Sequence, residues 1–109
     1  MAANIEIIMD EARQYVGEVC RELPVEKAVL FGSYTKEVAD DFSDVDIAFF
    51  LRDFNGKTRT EVGVELLRLT HSYNAYFEPI FFSYTEIDRG NPFVMEIIKT
   101  GRDIVLHTL

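Results

Sequence analysis

The chain has a single cysteine, Cys20, in 109 residues, so it can form no internal disulfide, and this predicts a reducing compartment, the cytoplasm. No Cys/His spacing of the zinc-binding type is present. No apolar run approaches the roughly 18 residues that a membrane span needs. The opening MAANIEIIMDEARQ brings acids early and sets no basic segment before an apolar one, which predicts no secretory signal. Positive charge is also short: 11 Lys and Arg stand against 19 Asp and Glu, for a net charge of −8. A surface this acidic repels phosphate backbones, so neither direct nucleic-acid binding nor a membrane partner is expected. It still admits a nucleotide, because a metal ion neutralises a triphosphate locally, and it weakly favours a basic protein partner. Repeats, low-complexity tracts and linkers are absent, and residues 1–109 read as one domain. With 48% hydrophobic residues, that domain can bury a core.

What is present is an ordered alternation of helical and extended patterns. Ile5, Ile8, Ala12, Val16, Val19 and Leu23 recur at steps of three and four, which predicts an amphipathic helix over 4–22, stopped by Pro24. A short buried strand is predicted over 27–31 and a second over 46–51, apolar on both faces. Between them, Gly32 to Glu37 reads as a turn or short helix with Ser33 near its start, and 38–42 as loop. Asn55-Gly56 marks a turn. Thr58-x-x-Glu61 is a capping box opening a helix to about Ser72, with Val62, Leu66, Leu69 and Tyr73 on one stripe. Residues 76–82 read as a third strand, and Pro79 within it predicts an edge position or a bulge. Asn91-Pro92 reads as an N-cap and first helical residue, Gly101 as the C-cap of that helix, and 102–107 as a last short strand. The loop between the first two strands is short for a crossover helix, so they are expected to run antiparallel. The fold class is therefore α+β: a mixed β-sheet of about four strands, with helices packed mainly on one face.

The antiparallel pair brings Gly32 and Ser33 beside Asp44 and Asp46. Two residues apart on an extended backbone, the aspartates project to the same side. Carboxylates so placed repel, and a Mg²⁺ ion, which favours oxygen ligands, waters and phosphates, removes that repulsion. Glu78, alone among Tyr76, Phe77, Ile80, Phe81 and Phe82, is the third candidate ligand. Gly32 permits close approach of the backbone to a ligand. Ser33 offers a hydroxyl and an N–H where a helix start would favour phosphate. Together these parts describe an in-line displacement at a nucleotide phosphate, with a carboxylate helping to deprotonate the acceptor.

Plainer readings stand beside these. Ser43-Asp44 alone would be a polar turn and Gly32-Ser33 an ordinary one, but their combination with Glu78 favours a site. For Glu78 the plain reading is an edge-strand acid facing water, which Pro79 supports. Asp40 and Asp41 read as solvated loop acids, and Lys36 as an exposed lysine within reach of a phosphate. His71 and His107 read as capping or surface residues and Cys20 as half-buried packing. The aromatic run from Tyr73 to Tyr84 reads as mostly core. An exposed remainder there, or at Phe93 and Met95, would mark a protein interface.

Gly32-Ser33 followed by Asp44-Val45-Asp46 resembles the signature of the DNA polymerase β-like nucleotidyltransferase superfamily. The phrase FGSYTKEVADDFSDVDIAFF and the small size resemble its minimal nucleotidyltransferase branch, over most of the chain. Members of that branch are often antitoxins encoded beside a HEPN-domain toxin. The resemblance implies that Asp44 and Asp46 bind two Mg²⁺ ions and that Ser33, with Gly32 and Lys36, holds the phosphates of ATP. It implies that Glu78 ligates one metal and activates the acceptor. The implied reaction moves AMP to a hydroxyl and releases pyrophosphate; in the antitoxin members the acceptor is a tyrosine of the partner toxin. Two positions depart from the pattern: Glu78 stands where the family usually has Asp, and Glu37 where it often has a second glycine. These departures define an alternative, a catalytically degenerate module that neutralises its partner by contact. The acceptor, the base preference and any homo-oligomer are left open by the sequence.

Overall fold

The computed structural model describes residues 5–32 and 44–104 of the chain. Ser33, Lys36, Glu37, Asp40, Asp41 and His107 lie outside the described residues. The first helix, α1, spans Ile5–Glu22 and ends just before Pro24, as the periodicity predicts. Strand β1 covers Val25–Phe31 and β2 covers Val45–Leu51, each opening before the predicted start. Helix α2 runs over Arg59–Leu69 behind the predicted capping box: Thr58 accepts from the Glu61 N–H, and the Thr58 N–H donates back to Glu61. Its last turn tightens into a 3₁₀ segment over Thr70–Ser72, so the α-helix stops short of Ser72. Strand β3 is Phe77–Ser83.

A four-residue helix, α3, at Thr85–Asp88 has no counterpart in the sequence expectations. Helix α4 is Pro92–Thr100, capped by Asn91, whose side chain accepts from the Phe93 and Val94 N–H groups. Gly101 caps it, but in an extended conformation (φ −84°) rather than a left-handed one. The need for glycine is steric. A Cβ there would come within 2.4 Å of Val29 Cγ1 and 2.5 Å of the Ile97 carbonyl oxygen. Strand β4 is Arg102–Asp103.

Among the described residues one sheet forms, in the order β3-β2-β1-β4. β1 runs antiparallel to β2 and to β4, while β2 and β3 run parallel, which makes the sheet mixed. β3 holds an edge, as Pro79 requires, and its register with β2 is unbroken from Val45↔Phe77 to Leu51↔Ser83, so no bulge is needed.

Alternation along the strands divides the core in two. Ala28, Leu30, Val45, Ile47, Phe49, Leu51 and Phe77 meet the buried stripes of α1 and α2. Tyr15 is the pin of that layer. It is fully buried, stacked on Phe77 at 4.9 Å between ring centroids, and edge-on to Phe49 and Tyr73. Its hydroxyl donates to the Leu66 carbonyl at 2.8 Å, which satisfies the one polar atom it carries inward. The opposite face presents Val29, Ala48 and Phe50 to Val94 and Ile97 of α4, with Phe31, Ile80 and Phe82 half-buried around them. The larger helical layer thus lies on one face, and α4 covers part of the other.

Candidate active site

Three chain segments converge at one end of the sheet. β1 ends there, and β2 and β3 begin there. In the antiparallel pair Phe31 stands opposite Asp46, and in the parallel pair Asp46 stands opposite Glu78. Asp46 shares its parity with Ala48 and Phe50, and Glu78 with Ile80 and Phe82. Both carboxylates therefore belong to the face that α4 covers only in part, and Asp44 falls on the same parity. The hydrogen bond from the Val45 N–H to the Tyr76 carbonyl (2.8 Å) fastens the entry of β3 to the entry of β2, fixing this alignment.

Gly32 closes the site from the β1 side. Its φ of +84° is a left-handed value that glycine adopts without strain. A Cβ at this position would lie 2.3 Å from Asp46 Oδ2 and 3.2 Å from its Cγ. The backbone can pass this close to the Asp46 carboxylate only because residue 32 has no side chain. The sequence expectation at Gly32 is a close approach of the backbone to a ligand; in the structure the Asp46 carboxylate occupies the space a side chain would take.

Asp44 acts on both of the other acids. Asp44 and Glu78 are exposed and Asp46 is half-buried. Burial pushes the Asp46 carboxyl above the ordinary carboxylate range, and the Asp44 charge adds to this. The Glu78 carboxyl is also raised, first by a hydrogen bond shared with Asp44, then by the Asp44 charge, slight desolvation and the Asp46 charge. Among the described residues no lysine or arginine forms an ion pair with any of the three. This is concentrated negative charge that a cation would relieve.

The donor set fits a hard divalent cation. All the side chains offered are oxygen ligands, and the missing Cβ at Gly32 lets the backbone pack against the Asp46 carboxylate. Among the described residues, no group of three or more ligating side chains forms a ready metal cage. Mg²⁺ is ordinarily held by one or two carboxylates, with waters and substrate phosphates completing its shell.

Beside the acids, Asp44 and Glu78 also line a hollow of about 450 Å³ together with the 70–76 segment. Sequence reasoning did not anticipate it. Tyr76, one of an aromatic run read as mostly core, is 63% exposed, and with His71 and Asn74 it lines the hollow. Only the exposure of a tyrosine next to a candidate ligand could have signalled it. Ser33 and Lys36, the two expected phosphate-binding residues besides Gly32, fall outside the described residues.

The family model for a nucleotidyltransferase domain matches residues 12–100. No curated protein matches the chain. Among solved structures, one similar chain is a protein of Sulfolobus solfataricus provisionally assigned as a nucleotidyltransferase. It is 23% identical with a TM-score of 0.59, over 74% of this chain and 71% of that one. Another is a crystal structure of a toxin-antitoxin with AMP-PNP, 16% identical with a TM-score of 0.54, over 88% of this chain and 74% of that one. At such identities the likeness establishes the shared fold.

Proposed function

The chain belongs to the nucleotidyltransferase domain family, and on that premise we propose that it transfers AMP from ATP to a tyrosine hydroxyl of a partner protein. We propose further that the partner is a HEPN-domain toxin for which this chain is the antitoxin. The observation that carries the reading is the line Phe31-Asp46-Glu78 across three strands, with Gly32 folded against Asp46. With Asp44, which precedes β2, it assembles two candidate metal ligands, a candidate base and a glycine turn at one sheet end. The fold likeness to a toxin-antitoxin structure solved with AMP-PNP supports both an adenine nucleotide and a protein partner.

In this reading Asp44 and Asp46 hold Mg²⁺ and Glu78 contributes a third carboxylate oxygen. When bound, Mg²⁺ supplies neutralisation of the charge that develops on the phosphates. The acceptor oxygen forms a bond to the α-phosphorus, the bond from the α-phosphorus to the bridging oxygen breaks, and pyrophosphate leaves. The acceptor proton passes to the Glu78 carboxylate, which stands in register with Asp46. Gly32, Ser33 and Lys36 are assigned to the phosphates. The contact-only alternative rests on Glu37 and Glu78. Glu37 lies outside the described residues, while Glu78 stands in register with Asp46 and beside Asp44, where a third ligand is needed.

The test is incubation of the chain with α-labelled ATP, Mg²⁺ and the product of the adjacent reading frame. Label is expected on that protein, and the Asp44→Asn/Asp46→Asn variant is expected to abolish it. Equal labelling by wild type and variant would refute the assignment. Absence of Mg²⁺-dependent ATP binding by calorimetry would favour the contact-only reading instead.

A further inference from the structure

The entry of β3 is fixed from outside the sheet. Among the described residues β3 pairs with β2 alone, on one side. The segment leading into it has little backbone bonding of its own. Among the described residues, the N–H groups of Asn74, Ala75 and Tyr76 reach no backbone carbonyl. A connection of this kind is free to shift unless side chains hold it.

The side chains that hold it come from one stripe of α1. Glu11, Tyr15 and Glu18 recur at steps of four and three, which sets them along one side of the helix. Glu11 accepts the Asn74 N–H at 2.9 Å, and Glu18 accepts the Tyr73 hydroxyl. Between them Tyr15 stacks on Phe77. The Tyr73 ring stands edge-on to both, 5.8 Å from Tyr15 and 5.6 Å from Phe77 between centroids. Desolvation, and then the bond to Glu18, push the Tyr73 hydroxyl above its usual range, so it keeps its proton and remains a donor. A ring can slide along its neighbours, whereas a hydroxyl bonded to a carboxylate sets one position.

Phe77 is the first residue of β3 and Glu78 the second. Successive side chains on a strand point to opposite faces, so Phe77 meets α1 while Glu78 belongs to the open face. Whatever fixes Phe77 against Tyr15 and Tyr73 therefore also fixes where Glu78 stands. Glu18 acts on the open face through this ring layer without belonging to that face. We propose that Glu18 is a positioning residue of the candidate active site: its bond to Tyr73 locks the entry of β3 and holds Glu78 in line with Asp46. The consequence for turnover rests on the AMP-transfer reading, but the lock is measurable without turnover.

The experiment is amide hydrogen exchange on the whole chain, followed by NMR, in Tyr73→Phe, Glu18→Ala and Glu18→Gln. Tyr73→Phe keeps the ring and removes the hydroxyl, and Gln still offers an oxygen that can accept from Tyr73. The Val45 amide, bonded to the Tyr76 carbonyl, reports the entry of β3. The Tyr84 amide, bonded to Leu51, and the Ile104 amide, bonded to Ala28, report the rest of the sheet. Tyr73→Phe and Glu18→Ala are expected to speed exchange at Val45 about tenfold and at Tyr84 and Ile104 by less than about twofold. Glu18→Gln is expected to leave Val45 within about twofold of wild type. Equal acceleration at all three amides would mean a general loss of stability and overturn the proposal. So would an unmoved Val45 in Tyr73→Phe and Glu18→Ala, or a Glu18→Gln variant as fast as Glu18→Ala. In transfer assays with Mg²⁺ and the product of the adjacent reading frame, Tyr73→Phe is expected to lower kcat about tenfold with KM for ATP within about twofold, and Glu18→Gln to stay near wild type. An unchanged kcat in Tyr73→Phe, despite faster exchange at Val45, would also overturn it. Absence of transfer by the wild type would sink the AMP-transfer reading, while the Val45 response would still decide the lock.

Discussion

The two faces of the sheet are built from the same strands and put to opposite uses. On one face Ile47 and Phe49 of β2, with Phe77 of β3, lie under α1 and α2, and Tyr15 closes the layer with its hydroxyl satisfied by Leu66. On the other face the same strands carry Asp46, Ala48 and Phe50, then Glu78, Ile80 and Phe82, and only α4 packs there. The buried cluster on the closed face is apolar. The open face changes from apolar beneath α4 to acidic at the sheet end. Strand parity is what keeps these uses separate: a slip of one residue in β2 would exchange Asp46 with a core side chain. The burial of Ile47 and Phe49 therefore fixes the register on which the carboxylates depend, and fold and site are linked through the strands rather than through shared residues.

Substitutions can break this division of labour if it is wrong. The largest effect is expected from Asp44→Asn/Asp46→Asn. Loss of both proposed ligands should lower AMP transfer by on the order of a thousandfold, about 4 kcal/mol of barrier. Thermal stability should hold or rise, because the mutual repulsion is removed. A large fall in melting temperature would show that the open face carries the fold as well. Tyr15→Ala is the converse probe. Removing the buried ring should destabilise the chain by about 3–5 kcal/mol in denaturant unfolding. The fraction still folded should retain Mg²⁺-dependent nucleotide binding. Gly32→Ala lies where the two uses meet. A left-handed residue forced against Asp46 should lower stability by about 1–3 kcal/mol and weaken Mg²⁺ binding together, as followed by melting with and without the ion.

The comparison also explains which features could be read from the sequence. The capping box at Thr58–Glu61 and the Asn91-Pro92 start were legible because caps are made by residues three apart. The shared side of Asp44 and Asp46 was legible because strand parity is local. Tyr15 was left out of the α1 stripe, as was Met9, although both are buried. A tyrosine hydroxyl belongs in a core only when an acceptor waits for it, and that acceptor, Leu66, comes from another helix. Gly101 was placed correctly as a cap, but its reason, the close approach of Val29 on β1, is tertiary. The hollow was invisible for the same cause: His71, Asn74 and Tyr76 become a wall only once Glu11 and Glu18 anchor their segment.

The smallest expected effect concerns protons on the open face. Asp46 and Glu78 both have their carboxyls raised in the folded chain, Asp46 chiefly by burial and Glu78 chiefly through Asp44. The unfolded chain returns each to the ordinary carboxylate value of about 4. Below that value both states are protonated and no penalty arises. As pH climbs through the raised values, the folded state is obliged to ionise groups it holds less willingly than the unfolded chain does, so stability falls and then levels off. A bound divalent cation reverses the sign, because it favours the ionised carboxylates in the folded state alone. Melting temperatures taken from pH 4 to pH 8 should therefore show a Mg²⁺-dependent increase that is absent at the acid end and grows toward neutrality. The increase should vanish in Asp44→Asn/Asp46→Asn and persist in Tyr15→Phe, which leaves the open face untouched. A stabilisation by Mg²⁺ that was equal at both ends of this range would place the ion elsewhere than on these carboxylates.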